Sequence, residues 1–316
     1  MCGRFAVDFD PETVRQEFTD RGVDLSKDKS SVPDFSRNYN VGPTQPARVY
    51  HDSRLQTMKW GLIPFWTKDL KKATPWRTFN ARIETLSESR FWKPSLNHHR
   101  CIVPISGYYE WITVKGQKIP YFIRRRDHKV MFLAGLFDVL KHDKEEDNGQ
   151  NGQEEGHERE KEELWTFTII TGPAPENLTW LHERMPIILE PNTKEWDTWF
   201  DPQKDSWTQK EVDEGLHTFY NEKEYECYKV PQEVGKVQNN GKHLMEPIKE
   251  KGKIHSFFKP KSEGSASTSL KEESEFEETD EGDTAEIKRE HSDTRPPSND
   301  NESDDPPAKR VKRERS

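Results

Sequence analysis

The sequence predicts an α+β fold, with many strands, few helices and no regular alternation of the two. Three observations carry this. Short apolar runs such as Cys101–Ile105 and Leu164–Thr171 are rich in β-branched residues and bounded by turn residues. Helical spacing occurs only in brief stretches, as where Val14 and Phe18 stand four apart. Strand–helix–strand units are scarce, which argues against a doubly wound parallel sheet.

The elements follow in order. Residues 1–8 read as a short strand or extended arm. Asp10-Pro11-Glu12 reads as an N-cap, a proline at the first helical position and an acid in the first turn, opening a helix to about Asp20. Residues 22–37 are polar and loop-like. Asn38–Thr44 leads into a strand near Ala47–His51, and Gln56–Pro64 reads as strand and turn. Ile83–Ser89 predicts a helix ending near Pro94. Arg100–Ile105 is an apolar strand in which Cys101 packs. Tyr121–Arg126 and Val130–Leu140 read as a β pair around Asp127-His128.

Residues 141–163 are polar and acidic, and are expected to be a disordered insertion. Strand Leu164–Thr171, a short helix near Asn177–Leu181, strand Met185–Leu189, helix Lys194–Phe200 with Trp196 and Trp199 in the core, and strand Glu226–Val230 complete the expected domain over 2–240. Cys227 reads as structural.

Composition bounds the rest. The chain has 316 residues, 30% of them hydrophobic, with mean hydropathy −1.10. That is low for a wholly globular chain, so part is expected to be disordered. Residues 241–316 fit this expectation. Three cysteines, none in a CxxC or Cys/His cluster, argue against a disulfide framework or a zinc site and for a reducing compartment. There is no apolar run of membrane-spanning length and no signal peptide, and no cofactor is expected. The net charge of −9 is uneven. Residues 1–140 hold 23 Lys and Arg against 15 Asp and Glu, while residues 262–316 hold 9 against 17. The basic half suits a phosphate backbone.

The most unusual chemistry sits at Met1-Cys2-Gly3-Arg4-Phe5. Removal of Met1 would leave Cys2 with an α-amine and a thiol on adjacent carbons. With reference pKa values of about 7.7–8.0 and about 8.5, both are expected to be partly nucleophilic near neutrality. Such a pair converts an aldehyde into a Schiff base and then a five-membered thiazolidine. Otherwise Cys2 is merely a small residue at a start site.

Four further stretches follow: Trp60-Gly61-Leu62-Ile63-Pro64-Phe65-Trp66, Asn80-Ala81-Arg82-Ile83-Glu84-Thr85, Gly107-Tyr108-Tyr109-Glu110-Trp111 and His182-Glu183-Arg184-Met185-Pro186. Together with the N-terminus they resemble, in order, the motifs of the SRAP (SOS response-associated peptidase) family, proteins that shield abasic sites in DNA. The resemblance covers about residues 2–240 and implies a single mixed domain with curved sheets around the site. It implies Cys2 as the covalent residue, Glu110 as proton shuttle, and His182 as the group assisting ring opening. It implies that Asn80 holds the Cys2 backbone or the sugar. Arg82, with Arg4 and Arg184, becomes a candidate for phosphate, and Trp60 and Trp66 for base stacking at a single-strand/duplex boundary. Without the motifs, Glu110 would read as a surface residue at a strand end and His182 as a helix-end residue. Lys68, Lys71 and Lys72 with Trp66 and Trp76 form a basic, aromatic loop suited to single-stranded nucleic acid, or a solvated loop with two rim tryptophans.

The tail adds short signals. Lys251–Phe258 resembles a sliding-clamp-binding box through Ile254, Phe257 and Phe258, with Lys251 where glutamine is usual. Lys309–Arg313 resembles a nuclear-import signal, which makes the nucleus the expected location. Lys271, Lys288 and Lys312 fit the sumoylation pattern. Three functions compete at this stage: a covalent abasic-site sensor with a lyase side reaction, a thiol peptidase using Cys2, Glu110 and His182 whose minimal act is removal of Met1, and a non-catalytic, clamp-tethered reader of modified DNA.

Overall fold

The computed structural model describes residues 2–28, 37–143 and 161–248. In chain order the strands are β1 (Phe5–Val7), β2 (Asn38–Val41), β3 (Pro46–His51), β4 (Arg54–Trp60), β5 (Asn80–Arg82), β6 (Arg100–Ile105), β7 (Gly107–Val114), β8 (Gln117–Arg125), β9 (Met131–Asp143), β10 (Lys161–Pro173), β11 (Arg184–Pro186) and β12 (Tyr225–Lys229). The helices are α1 (Pro11–Asp20), α2 (Lys93–His98), α3 (Lys194–Phe200) and α4 (Gln209–Gly215). The fold is α+β, as the short apolar runs predict.

Two sheets form. The first has the order β12-β8-β7-β1-β2 and is antiparallel throughout. The second runs β11-β10-β4-β3-β6-β9, and β9 pairs back onto β10 over nine residue pairs. The path therefore closes into a partial barrel, narrowest where β3 meets β6 through the pair Tyr50 and Ile102. β5 adds to β10 in parallel.

The first sheet is buried on both faces at its centre. Phe5, Tyr108 and Ile123 face a core shared with Trp60 and Phe167 of the barrel. Their neighbours Ala6, Tyr109 and Phe122 face a second cluster closed by Val230, Val234, Leu244 and Met245. Alternate residues of one strand thus fill two cores. This is why β7 carries no polar–apolar alternation and gives no clear strand signal in the sequence. β7 and β8 join through Lys115 and Gly116, both at positive φ (49° and 77°), the geometry of a tight two-residue hairpin.

Several expectations change. Ile83–Ser89 does not become a long helix. Ile83–Thr85 is a single 3-10 turn, and Pro94 lies in the first turn of α2 rather than ending a helix, where proline's missing N–H costs nothing. Tyr121–Arg126 and Val130–Leu140 are not a pair. β8 belongs to the first sheet and β9 to the second, and His128, at φ 59°, turns the chain from one to the other. The proposed insertion is shorter at both ends, because Lys141–Asp143 and Lys161–Glu163 continue the β9–β10 hairpin. Residues 144–160 lie outside the described residues. The ordered chain also passes 240, since Leu244 is fully buried and Met245 nearly so. The box at 251–258 with Ile254, Phe257 and Phe258, the basic run at 309–313 and the three tail lysines lie outside the described residues.

Other elements agree with their sequence signals. Asp10 caps α1, its Oδ1 accepting from the Thr13 N–H at 2.8 Å. α3 spans Lys194–Phe200 and buries Trp196 and Trp199. α4 has no counterpart among the expected elements, although Thr208 and Glu211 stand at the spacing of the capping box that forms there.

Candidate active site

The site is built on the N-terminal strand. β1 lies between β2 and β7, with Phe5 paired to Val41 on one side and Tyr108 on the other. The Tyr109 N–H donates to the Arg4 carbonyl at 2.9 Å, extending the pairing toward the N-terminus. Chain termini are ordinarily loose. Here Cys2 is fully buried.

Asn80 completes the anchor, its Nδ2 donating to the Cys2 carbonyl at 2.7 Å. β5 sets that direction. Its register on β10 pairs Asn80 with Ile169 and Arg82 with Thr171. Ala81 turns into the core, so Asn80 and Arg82 share the opposite face. Asn80 Oδ1 is buried and finds no hydrogen-bond partner among the described residues. A buried amide oxygen without a donor costs about 1–3 kcal/mol, so it marks a place where a donor is wanted.

Glu110 lies two residues beyond Tyr108 on β7, on the face turned to the shared core, and stands opposite Tyr121 of β8. It is buried, and its Oε1 accepts from the Trp111 N–H at 3.3 Å. Burial, and then the Glu110 carboxylate, push the Cys2 thiol well above its ordinary range. The thiol is therefore protonated at neutral pH. The expectation of a partly ionised thiol concerns the product of Met1 removal, whereas this raised thiol belongs to the chain with Met1 attached. Cys101 and Cys227 are raised too, by burial, and Cys101 is packed in the core as expected.

His182 lies in the turn before β11. Its Nδ1 accepts from the Arg184 N–H at 3.0 Å, so the neutral ring carries its proton on Nε2. The loop reaches the first sheet through Trp180, whose ring stands 5.2 Å from that of Tyr121 at 78°. Tyr121 is the cross-strand neighbour of Glu110. Hydrogen bonding and strand pairing thus bring Cys2, Asn80 and Glu110 together, and the His182 loop joins them by way of Tyr121.

Three other candidates have framework roles. Trp60 is fully buried, donates from Nε1 to the Phe79 carbonyl at 2.8 Å and packs against Phe5 and Phe167. It cannot stack on DNA without unfolding the core. Arg184 is buried, gives a bidentate pair to Glu84 at 2.7 and 3.0 Å and donates to the Thr171 carbonyl at 2.7 Å. It ties β11 to the segment after β5 and is not offered to a phosphate. Arg4 donates through Nη1 to Asn40 Oδ1 and the Val234 carbonyl at 2.7 and 2.9 Å, tying β1 to the segment after β12. The sequence could not assign these partners, because each is distant along the chain.

Arg82 and Trp66 remain at the surface. Arg82 is exposed; its carbonyl accepts from the Thr85 hydroxyl at 3.3 Å, and its guanidinium makes no hydrogen bond or ion pair among the described residues. Trp66 is 42% exposed and helps line a groove of about 440 Å³ with Lys68, Lys72 and Phe91. Trp76 is 59% exposed.

The site thus defines a mixed-sheet domain that buries Cys2 beside an acid and an amide. A model of the family described as SOS response associated peptidase (SRAP) matches residues 1–237. The chain belongs to the SRAP family. It is 40% identical over 270 residues to an abasic site processing protein of Saccharomyces cerevisiae, covering 78% of this chain and 68% of that one. It is 31% identical over 252 residues to the abasic site processing protein YoqW of Bacillus subtilis, covering 78% and 99%. A crystal structure of a protein from Bacteroides thetaiotaomicron superposes with a TM-score of 0.61 at 24% identity, covering 78% of this chain and 99% of that one. At that identity it shows the shared fold.

Proposed function

We propose that this protein captures abasic sites in single-stranded DNA by forming a thiazolidine at Cys2 after Met1 is removed. The observation that supports this most is the anchoring of Cys2: fully buried, held by Asn80 at 2.7 Å and influenced by Glu110. The names of the relatives supply the substrate class.

With Met1 attached, the Cys2 nitrogen is an amide and cannot form an imine. Once free, the amine attacks the aldehyde carbon of the ring-opened sugar, and loss of water leaves a Schiff base. The Cys2 sulfur then adds to the imine carbon. Its proton leaves to Glu110 and the imine nitrogen gains one, so that the net change is loss of one water. Because burial keeps the thiol protonated, closure depends on a base at hand, and Glu110 is that base. Asn80 Oδ1 accepts from the freed amine or a sugar hydroxyl. His182 Nε2–H donates to the sugar oxygen as the ring opens. Arg82 holds a neighbouring phosphate through its planar fork.

If closure fails, the Schiff base favours strand cleavage, so a lyase reaction accompanies the shield. Removal of Met1 by the same groups would be the peptidase activity that the family description implies. Attachment to a sliding clamp, sumoylation and nuclear import are proposals that rest on the tail sequence.

Intact mass after incubation with an abasic oligonucleotide tests the reading. A heat-stable adduct equal to protein without Met1 plus DNA minus one water is expected. No adduct, or one indifferent to the abasic site, would leave the peptidase and reader alternatives.

A further inference from the structure

The indole of Trp180 is 53% exposed, in the turn between the buried Leu178 and His182. Exposing so large an apolar ring is unfavourable unless something covers it. The ring is not loose. It makes a T-shaped contact with Tyr121, which is buried and directly opposite Glu110 in the β7–β8 pair. Directly opposed residues in an antiparallel pair project to the same face. Trp180, Tyr121 and Glu110 therefore form a continuous row from solvent to the site, and a T-shaped contact leaves at least one indole face uncovered by Tyr121.

We propose that Trp180 is a stacking platform for a nucleobase flanking the captured abasic sugar. This rests on the abasic-DNA reading and adds a subsite to it. A strand whose abasic sugar lies at Cys2 and Glu110 must carry a neighbouring nucleotide past the rim of the site, where Trp180 stands. Glu176 and Glu183, on either side of it in sequence, are exposed and acidic. They repel phosphate, so the contact Trp180 offers is to a base and not to the backbone. Stacking accepts any base but requires one to be present.

The test uses the mature full chain and oligonucleotides carrying a tetrahydrofuran abasic analogue, which reports binding without reaction. The nucleotide on each side is adenine, thymine or a second baseless spacer. The wild type should bind roughly tenfold more weakly when the spacer replaces the base on one particular side, the order expected for one base–aromatic stack. Trp180→Ala should abolish that difference, and Trp180→Phe should retain most of it. The dependence of binding on salt should be unchanged in Trp180→Ala and reduced in Arg82→Ala, because only a phosphate contact releases counterions. Equal discrimination of the flanks by Trp180→Ala and wild type would overturn the proposal, as would a salt slope altered by Trp180→Ala. If wild type forms no adduct with a true abasic oligonucleotide while still binding flanking bases, the abasic reading fails and takes this subsite with it.

Discussion

The N-terminal strand and the loop from Pro64 to Thr78 are two parts of one domain built on opposite plans. In the first, Cys2 and Phe5 are fully buried and β1 is paired on both sides. In the second, Phe65, Trp66 and Trp76 are 55%, 42% and 59% exposed and the regular structure is two short 3-10 turns. Under the proposed function, the two plans suit two tasks. Forming a covalent bond requires an atom held to within a fraction of an ångström, which a packed strand supplies. Gripping a variable strand requires exposed rings and charges that tolerate many sequences, which a surface loop supplies.

The sharpest way to break this comparison is to move the reacting nitrogen. A residue added to the N-terminus that cannot be trimmed keeps the Cys2 thiol but displaces the α-amine. DNA binding should persist, and covalent product should vanish with or without borohydride. An adduct forming at the mature rate would end the thiazolidine account. Cys2→Ser should have the next largest effect. A Schiff base should still be trapped by borohydride, with little heat-stable product and more strand cleavage, as denaturing gels would reveal.

Glu110→Gln comes third. It keeps both nucleophiles and removes the base beside the thiol, so crosslinking should slow by about 10²–10⁴ while binding to the tetrahydrofuran analogue is unchanged. A mutant at the wild-type rate would make Glu110 a packing residue. Trp66→Ala with Trp76→Ala should do the reverse, weakening binding by roughly tenfold or more with the single-turnover rate at saturating DNA intact. If that rate falls instead, the loop is part of the reacting geometry and the division between the regions dissolves.

The smallest effect on the site should come from the barrel. Burial, more than neighbouring Arg54, holds His51 at a pKa of about 4. The unfolded chain takes up a proton below about pH 6.5 that the folded one refuses. Stability from this group is complete above that pH and is lost as pH falls toward 4. The loss amounts to about 3 kcal/mol, and His51→Phe should flatten it in denaturant melts at pH 4–7. Capture rates at pH 7 should not change. A pH slope identical in mutant and wild type would place the dependence elsewhere.

The motif residues and most strands were legible because local signals specify them. Asp10-Pro11 starts a helix, short apolar runs rich in β-branched residues make strands, and Met1-Cys2 puts a thiol where removal of Met1 would create an aminothiol. Which motif residues meet was not legible. Trp60, Arg4 and Arg184 carry the side chains that stack on bases and grip phosphates, and residue type cannot say whether such a group faces DNA or the core. Tertiary structure decided it by supplying Phe167, Asn40 and Glu84 as their partners. The state of the Cys2 thiol was decided in the same way. The sequence by itself determines that a thiol is present at position 2. Only the packing of β1 against β7 removes water from it and brings Glu110 near, and desolvation, which depends on every neighbouring atom, is the larger of the two effects that push its pKa up.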